Sequence, residues 1–293
     1  MIVFFILLYV ALLLWPRSRR FAVCMLPWGL FGTIYSSMNL LPNYMVNAVD
    51  TGGVYDLEKS LFGIHAPAAD LAAAAAACKG TAEAIWQSGM LIPSEYFAVH
   101  HAAVADVLAG ICYMCWVPVP VAFAFWLFFK GHAEWASRFS WAFLTVNLVG
   151  FVIYYIHPAS PPWYVMDHGF QVVIHTPASR AGLARFDEIT GLGVFSHMYK
   201  ENANVFAAMP SLHASYLLVT TVYAVMSRRP WYAVAGFALL CVGIWMTAVY
   251  TGHHYVCDVL AGIATGIGGI LLFETIRHFL IKKRVARAVR QNE

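Results

Sequence analysis

Met209-Pro210-Ser211-Leu212-His213 and His253-His254-Tyr255-Val256-Cys257-Asp258 bracket two apolar runs, residues 210–227 and 231–250. A helix needs roughly 20 apolar residues to cross a bilayer core, and each run is close to that length. A chain that goes down one run and back up the other returns to the face it left. The two polar islands should therefore meet on one side of a membrane, bringing His213 to the His254/Asp258 pair.

The rest of the 293-residue chain fits that setting. It is 61% hydrophobic and 11% charged, with a positive mean hydropathy, whereas soluble domains carry about a quarter charged residues. Further apolar runs lie at 2–15, 21–38, 103–129, 139–157 and 257–281. Runs of this length must satisfy their backbone hydrogen bonds internally, which makes them helices. Pro118 and Pro120 should kink the 103–129 run. The first run is short and has Arg17, Arg19 and Arg20 on the wrong flank for a secretory signal; it either spans the bilayer or lies at its interface. No linker divides the chain. The expected fold is an all-α integral membrane protein in four stretches: hydrophobic segments at 1–42, an interfacial region at 43–102, a transmembrane core at 103–281 and a basic tail at 282–293. The interfacial region holds the alanine tract 68–77, a good helix former too weakly apolar to span, expected to lie beside or over the mouth of the core.

The net charge of +3 says little; its distribution says more. One set of connections holds Arg17, Arg19, Arg20, Lys130, Arg138, Arg228, Arg229 and a tail with Arg277, Lys282, Lys283, Arg284, Arg287 and Arg290. The opposite set holds only Lys59, Lys79, Arg180, Arg185 and Lys200. By the positive-inside rule, the first set and the C-terminus are cytoplasmic and the islands face the periplasm or a lumen. The basic tail should sit on anionic lipid head groups. Cys112 and Cys115 form a C-x-x-C inside an apolar run, which reads as buried free thiols rather than a zinc or redox pair. His157, His168, His175 and His197 crowd the long loop 158–209, but their spacing matches no usual ligand pattern. No metal or other cofactor is expected. The chain has no nucleotide-binding motif, and no nucleic-acid partner is expected.

Three islands gather at the non-cytoplasmic mouth: Ser160-Pro161-Pro162-Trp163-Tyr164, Pro210-Ser211-Leu212-His213 and His254-x-x-x-Asp258. Phosphoryl transfer between alcohols needs a nucleophile, a proton donor for the leaving oxygen, and groups that hold the phosphate. Histidine suits the first two roles because its pKa lies near neutrality. Positions i and i+4 share a helix face, so Asp258 can hold one nitrogen of His254 and leave the other to attack. His213, from another helix, can serve as acid and base. An aspartate near a membrane interior is costly unless paired, which independently supports the His254 partnership. Ser211 is expected to cap a helix or touch phosphate, His253 to bind phosphate or face solvent. Trp163 and Tyr164, behind a double proline, are expected at the substrate pocket. His100, His101 and Asp106 fall near the same mouth.

These motifs resemble the second and third signatures of the type 2 phosphatidic acid phosphatase superfamily. The likeness is closer to inositol phosphorylceramide synthases of the fungal kind and their bacterial relatives. Phe206-Ala-Ala-Met-Pro-Ser-Leu-His213, Tyr250-Thr-Gly-His-His-Tyr-Val-Cys-Asp258 and the Pro161-Pro162-Trp163-Tyr164 segment all fit that branch. The similar region runs from about residue 95 to 275. The resemblance implies a six-helix transmembrane core plus the short extra N-terminal segment, a phosphohistidine intermediate on His254 supported by Asp258, and His213 as general acid/base. One departure matters. The superfamily's Lys and Arg of the first motif are missing, and Thr247 and Ala248 stand where it has Ser-Arg. The phosphate is then held by Arg180, Arg185 or Lys200, by backbone N–H groups opening the 210–227 helix, or by His253.

The leading expectation is a membrane transferase that moves a phosphoryl head group, inositol phosphate by the resemblance, from a phospholipid donor to a lipid alcohol such as ceramide. A lipid phosphate phosphatase would use the same residues with water as acceptor. A transporter or scaffold is the alternative outside enzymes, but transporters place their polar groups near the midplane of repeated halves, and no repeat is visible here.

Overall fold

The computed structural model of the protein describes residues 9–199 and 204–291, without side chains at 39 and beyond 284. The 2–15 run falls partly outside these residues, as do Lys200 and the Arg287 and Arg290 side chains. Of that run, residues 9–14 are helical. The main helices are α1 (Arg19–Ser37), α2 (Gly53–Phe62), α3 (Ala68–Ala77), α4 (Ala82–Ser88), α5 (Pro93–Val99), α6 (Ala103–Met114), α7 (Pro118–Phe129) and α8 (Ala133–Ile156). They continue with α9 (Pro162–His168), α10 (Ala184–Thr190), α11 (Val194–Met198), α12 (Leu212–Met226), α13 (Trp231–Tyr250) and α14 (Val256–Gln291). The two-residue strands β1 (Ile64–His65) and β2 (Met90–Leu91) pair antiparallel.

Three helices, α8, α13 and α14, are long and apolar enough to cross a bilayer, and the bent pair α6–α7 adds a fourth crossing if counted as one. The six crossings expected from the sequence are reached by length and composition only in part. α12 has 15 residues, and α1 opens with Arg19-Arg20 and carries Pro27 inside. The 103–129 run is two helices whose axes differ by 44°. Pro118 takes the first position of α7, where its missing N–H costs nothing, while a helix continuing through it would lose a bond and clash. The break turns Tyr113 and Trp116 towards the islands.

The core is aromatic. Trp28, Phe31, Phe139, Phe143, Tyr216 and Tyr223 pack among α1, α8 and α12. Where α14 meets α12 and α8, glycine sets the distance. A Cβ on Gly262 would stand 2.1 Å from the Ser211 carbonyl oxygen, and one on Gly269 would stand 2.9 Å from Val146 Cα. Gly262→Val is expected to cost about 1–3 kcal/mol or more by forcing the helices apart, and to lower the thermal midpoint of the detergent-solubilised protein; an unchanged midpoint would show that this contact yields freely. Further along α14 from the islands, Glu274 accepts hydrogen bonds from Arg138 Nε (2.8 Å) and from the Tyr223 hydroxyl (2.5 Å), clamping α8, α12 and α14 together.

Residues 43–102 build a small folded cap. The alanine tract forms α3 and packs on α4 and α5. Glu95 is buried; it accepts from the Tyr55 hydroxyl and from the Ile92 N–H that opens α5. Lys59 reaches the Ala84 carbonyl and Ser88. The cap bears on the islands through Glu58, which is fully buried. Its two carboxylate oxygens accept the N–H groups of Val256 (2.9 Å) and Cys257 (3.0 Å). These are orphan donors at the start of α14, and a carboxylate there also meets the positive end of the helix dipole.

Candidate active site

His213 is the second residue of α12, and His254 lies in the 251–255 link between α13 and α14. The link is a tight turn. Gly252 takes φ = 75°, a left-handed conformation that glycine adopts without strain. The His253 and His254 N–H groups then both donate to the Ala248 carbonyl at 3.0 Å, and Gly252 accepts from the Trp163 N–H at 2.9 Å. The Ser211 N–H donates to the Asp258 carbonyl at 2.9 Å, so the two islands are joined backbone to backbone.

The side chains follow in a line. His254 Nδ1 stands 3.5 Å from Asp258 Oδ2, an oxygen that also accepts the Tyr255 N–H. His254 Nε2 stands 3.0 Å from His213 Nδ1. His213 Nε2 stands 3.0 Å from the Tyr113 hydroxyl, which is 2.7 Å from the Tyr199 hydroxyl. Asp258 is completely buried. At 3.5 Å the carboxylate faces His254 Nδ1 without a formed hydrogen bond, and Nδ1 and Asp258 Oδ1 have no other partner among the described residues; a short approach of the two would favour the tautomer that leaves Nε2 with its lone pair.

These rings face a cavity of about 410 Å³, walled by Trp116, Trp163, Tyr35, Val205, Ala207, Ser179 and Asn204 as well as by Tyr113, Tyr199, His213, His253 and His254. That size suits a small ligand. No lysine or arginine lines it among the described residues. Buried polar atoms are nearly always paired, yet here the Ser211 hydroxyl, His253 Nε2 and both amide atoms of Asn204 have no partner among the described residues. His253 Nδ1 is 2.9 Å from the Thr251 hydroxyl, which itself donates to the Thr247 carbonyl. Burial, reinforced by His254, pushes His253 down to about 3, so the ring is neutral at ordinary pH.

The residues singled out from the sequence fall into two groups. His213, His253, His254 and Trp163 line the cavity, with Asp258 directly behind His254 and Ser211 buried beside it. Tyr164, Arg180 and Arg185 lie outside the lining. The Tyr164 hydroxyl accepts the Val173 N–H and donates to the Gln171 carbonyl. Arg185 Nε donates to Asp106 at 2.6 Å, with its guanidinium over the Tyr250 ring. Arg180 donates to Ser196 (2.7 Å) and Asp187 (3.3 Å). Asp187 also accepts the N–H groups of Phe195 and Ser196. Burial raises the Asp187 carboxyl, but these donors outweigh it and hold the group below its usual value. The arginines thus brace the loop that carries Tyr199. Cys112 and Cys115 are free and half-buried.

Tyr113, Trp116, Tyr199, Asn204 and Glu58 are not evident from the sequence. Tyr113 and Trp116 sit in an apolar run where aromatics are ordinary, and Trp116 stacks on Tyr216 while its ring lies 4.4 Å from His213. The one available signal was their position just ahead of Pro118.

The family model described as PAP2 superfamily matches residues 82–272. A phosphoinositol dihydroceramide synthase of Bacteroides thetaiotaomicron is 49% identical over 258 residues, 88% of this chain and 78% of that protein. The inositol phosphorylceramide synthase of Candida albicans is 27% identical over 64% of this chain and 38% of its own length. The catalytic subunit from Saccharomyces cerevisiae is 30% identical over 40% of this chain and 29% of its own. This chain therefore spans well under half of those two fungal relatives. No solved structure matches it significantly. A family match over most of the chain and near-full-length likeness to the Bacteroides enzyme establish that this multi-pass membrane protein belongs to the PAP2 superfamily.

Proposed function

We propose that the protein is a lipid phosphotransferase that moves phosphoinositol from phosphatidylinositol to the hydroxyl of a ceramide-type lipid. The observation that carries the reading is the Asp258–His254–His213 line against an aromatic-walled cavity. His254 Nε2 attacks phosphorus and forms a P–N bond. The P–O bond to diacylglycerol breaks, and His213 gives the leaving oxygen a proton. The acceptor hydroxyl then attacks the phosphoinositol on His254, His213 takes the hydroxyl proton, and the P–N bond breaks. Substrate phosphate must part the 3.0 Å contact between the two histidines, which puts the leaving and attacking oxygens beside His213 Nδ1.

With no cationic side chain in the described lining, N–H groups opening α12 hold the phosphate; the first turn of a helix leaves them free. The buried Ser211 hydroxyl supports them. The head group sits towards Asn204, Ser179 and His253. The His253 ring pairs through Nδ1 with the Thr251 hydroxyl. A neutral imidazole and an unpaired amide suit polyol hydroxyls better than phosphate oxygens. Lipid tails leave past the exposed Tyr35 end of α1. The six-helix core of the superfamily is then completed by α1 and the short α12. The site faces the periplasm or lumen and the C-terminus the cytoplasm, in line with the lysine and arginine distribution.

The test uses purified enzyme, inositol-labelled phosphatidylinositol and EDTA, with and without dihydroceramide. The label is expected in a new sphingolipid only when dihydroceramide is present, at a rate EDTA leaves unchanged. Release of water-soluble inositol phosphate alone, with dihydroceramide present, would make the enzyme a hydrolase.

A further inference from the structure

We infer that Tyr113, backed by Tyr199, is a positioning residue that holds His213 ready for both halves of the reaction; this rests on the phosphotransferase reading above. His213 lies between two partners, His254 Nε2 at Nδ1 and the Tyr113 hydroxyl at Nε2, each at 3.0 Å. Tyr199 lies 2.7 Å beyond Tyr113. In the first half, His213 acts as an imidazolium with N–H on both nitrogens, its second proton taken up from solvent as the phosphodiester anion enters beside it. The Nδ1 proton goes to the leaving oxygen. The ring stays neutral only as the Nε2–H tautomer, and that N–H needs an acceptor in a water-poor cavity wall. Tyr113 oxygen is the acceptor, provided its own O–H turns away, and Tyr199 oxygen receives it. The Nδ1 lone pair then faces the incoming hydroxyl and takes its proton, restoring the imidazolium.

A hydroxyl pair can also run the other way. When His254 carries its proton on Nδ1, His213 Nδ1–H donates to His254 Nε2. His213 Nε2 then accepts from Tyr113, and Tyr113 from Tyr199. Two rotatable hydroxyls in series let His213 change protonation state without leaving a buried polar atom unpaired, a loss that is costly in such surroundings. Tyr199 follows α11, whose first N–H groups are gathered by Asp187, so this part of the loop reports directly to the acid/base.

Tyr113→Phe keeps the ring packed against Phe195 and Trp116 and removes only the hydroxyl. It is expected to lower kcat on phosphatidylinositol about tenfold or more with KM within about twofold. Tyr199→Phe should lose about threefold, and the double variant no more than Tyr113→Phe alone, as befits groups in series. The deciding measurement is the single-turnover burst of diacyl thiol released, without acceptor, from the bridging-thio analogue of phosphatidylinositol, which isolates the first half and whose leaving thiolate needs little proton help. Tyr113→Phe should release it at close to the wild-type rate. Equal slowing on both donors would make Tyr113 merely structural, and no slowing on either would remove it from the mechanism. His254→Ala, run alongside, must be dead on both donors; activity there would overturn the phosphotransferase reading itself.

Discussion

His254→Ala is expected to reduce phosphoinositol transfer by about 10⁴-fold or more, with the protein still folded. The loss is large because no other group in the described lining can replace Nε2: His213 Nδ1 is its neighbour and serves as acid and base, and His253 Nε2 is itself buried. The fold should survive because the turn is held by main chain. The His254 N–H donates to Ala248 whatever its side chain, and Glu58 still caps α14. Circular dichroism and gel filtration would check folding, and steady-state assay would check turnover. Activity above a hundredth of wild type would remove His254 from the nucleophile's role.

Asp258→Asn carries the second large effect. The amide can still accept the Tyr255 N–H through its oxygen, so the start of α14 keeps its geometry. What is lost is a charge facing His254 Nδ1. Without it the imidazole has no preference for Nδ1–H, and a fraction of molecules present Nε2–H, which cannot attack. The positive charge that His254 develops on forming the P–N bond also goes uncompensated in a buried place. The expected loss in kcat is about 10²–10⁴-fold, with KM within about threefold because Asp258 does not line the cavity. Activity within threefold of wild type would mean that something other than Asp258 orients His254.

What could be read in advance follows from short-range rules. The i,i+4 spacing of His254 and Asp258, and the return of the chain over two apolar runs, are local periodicities that pointed to His213 meeting His254. The remaining contributors come from distant segments. Glu58 is 198 residues from the N–H it accepts at Val256, and an acidic residue on a surface helix carries no mark of that use. Arg180 and Arg185 drew attention as the few cations at an apolar mouth. Asp187 and Asp106 engage them, and nothing in the spacing of the chain shows those pairings. Tyr199 and Asn204 sit in a loop with no periodicity. The helix count was the least legible part of the fold, because a 15-residue apolar helix and an arginine-led one both belong to the bundle yet fall short of the composition of a free-standing span.

The central claim is a covalent phosphoinositol on His254, and it can be tested by trapping. Purified enzyme is incubated with phosphatidylinositol and no acceptor, quenched in alkali to spare the P–N bond, digested and sequenced by tandem mass spectrometry. The account predicts a phosphoinositol adduct on His254 that disappears when dihydroceramide is added before the quench. An adduct on another residue, or donor consumption with transfer but no adduct at His254, would contradict it.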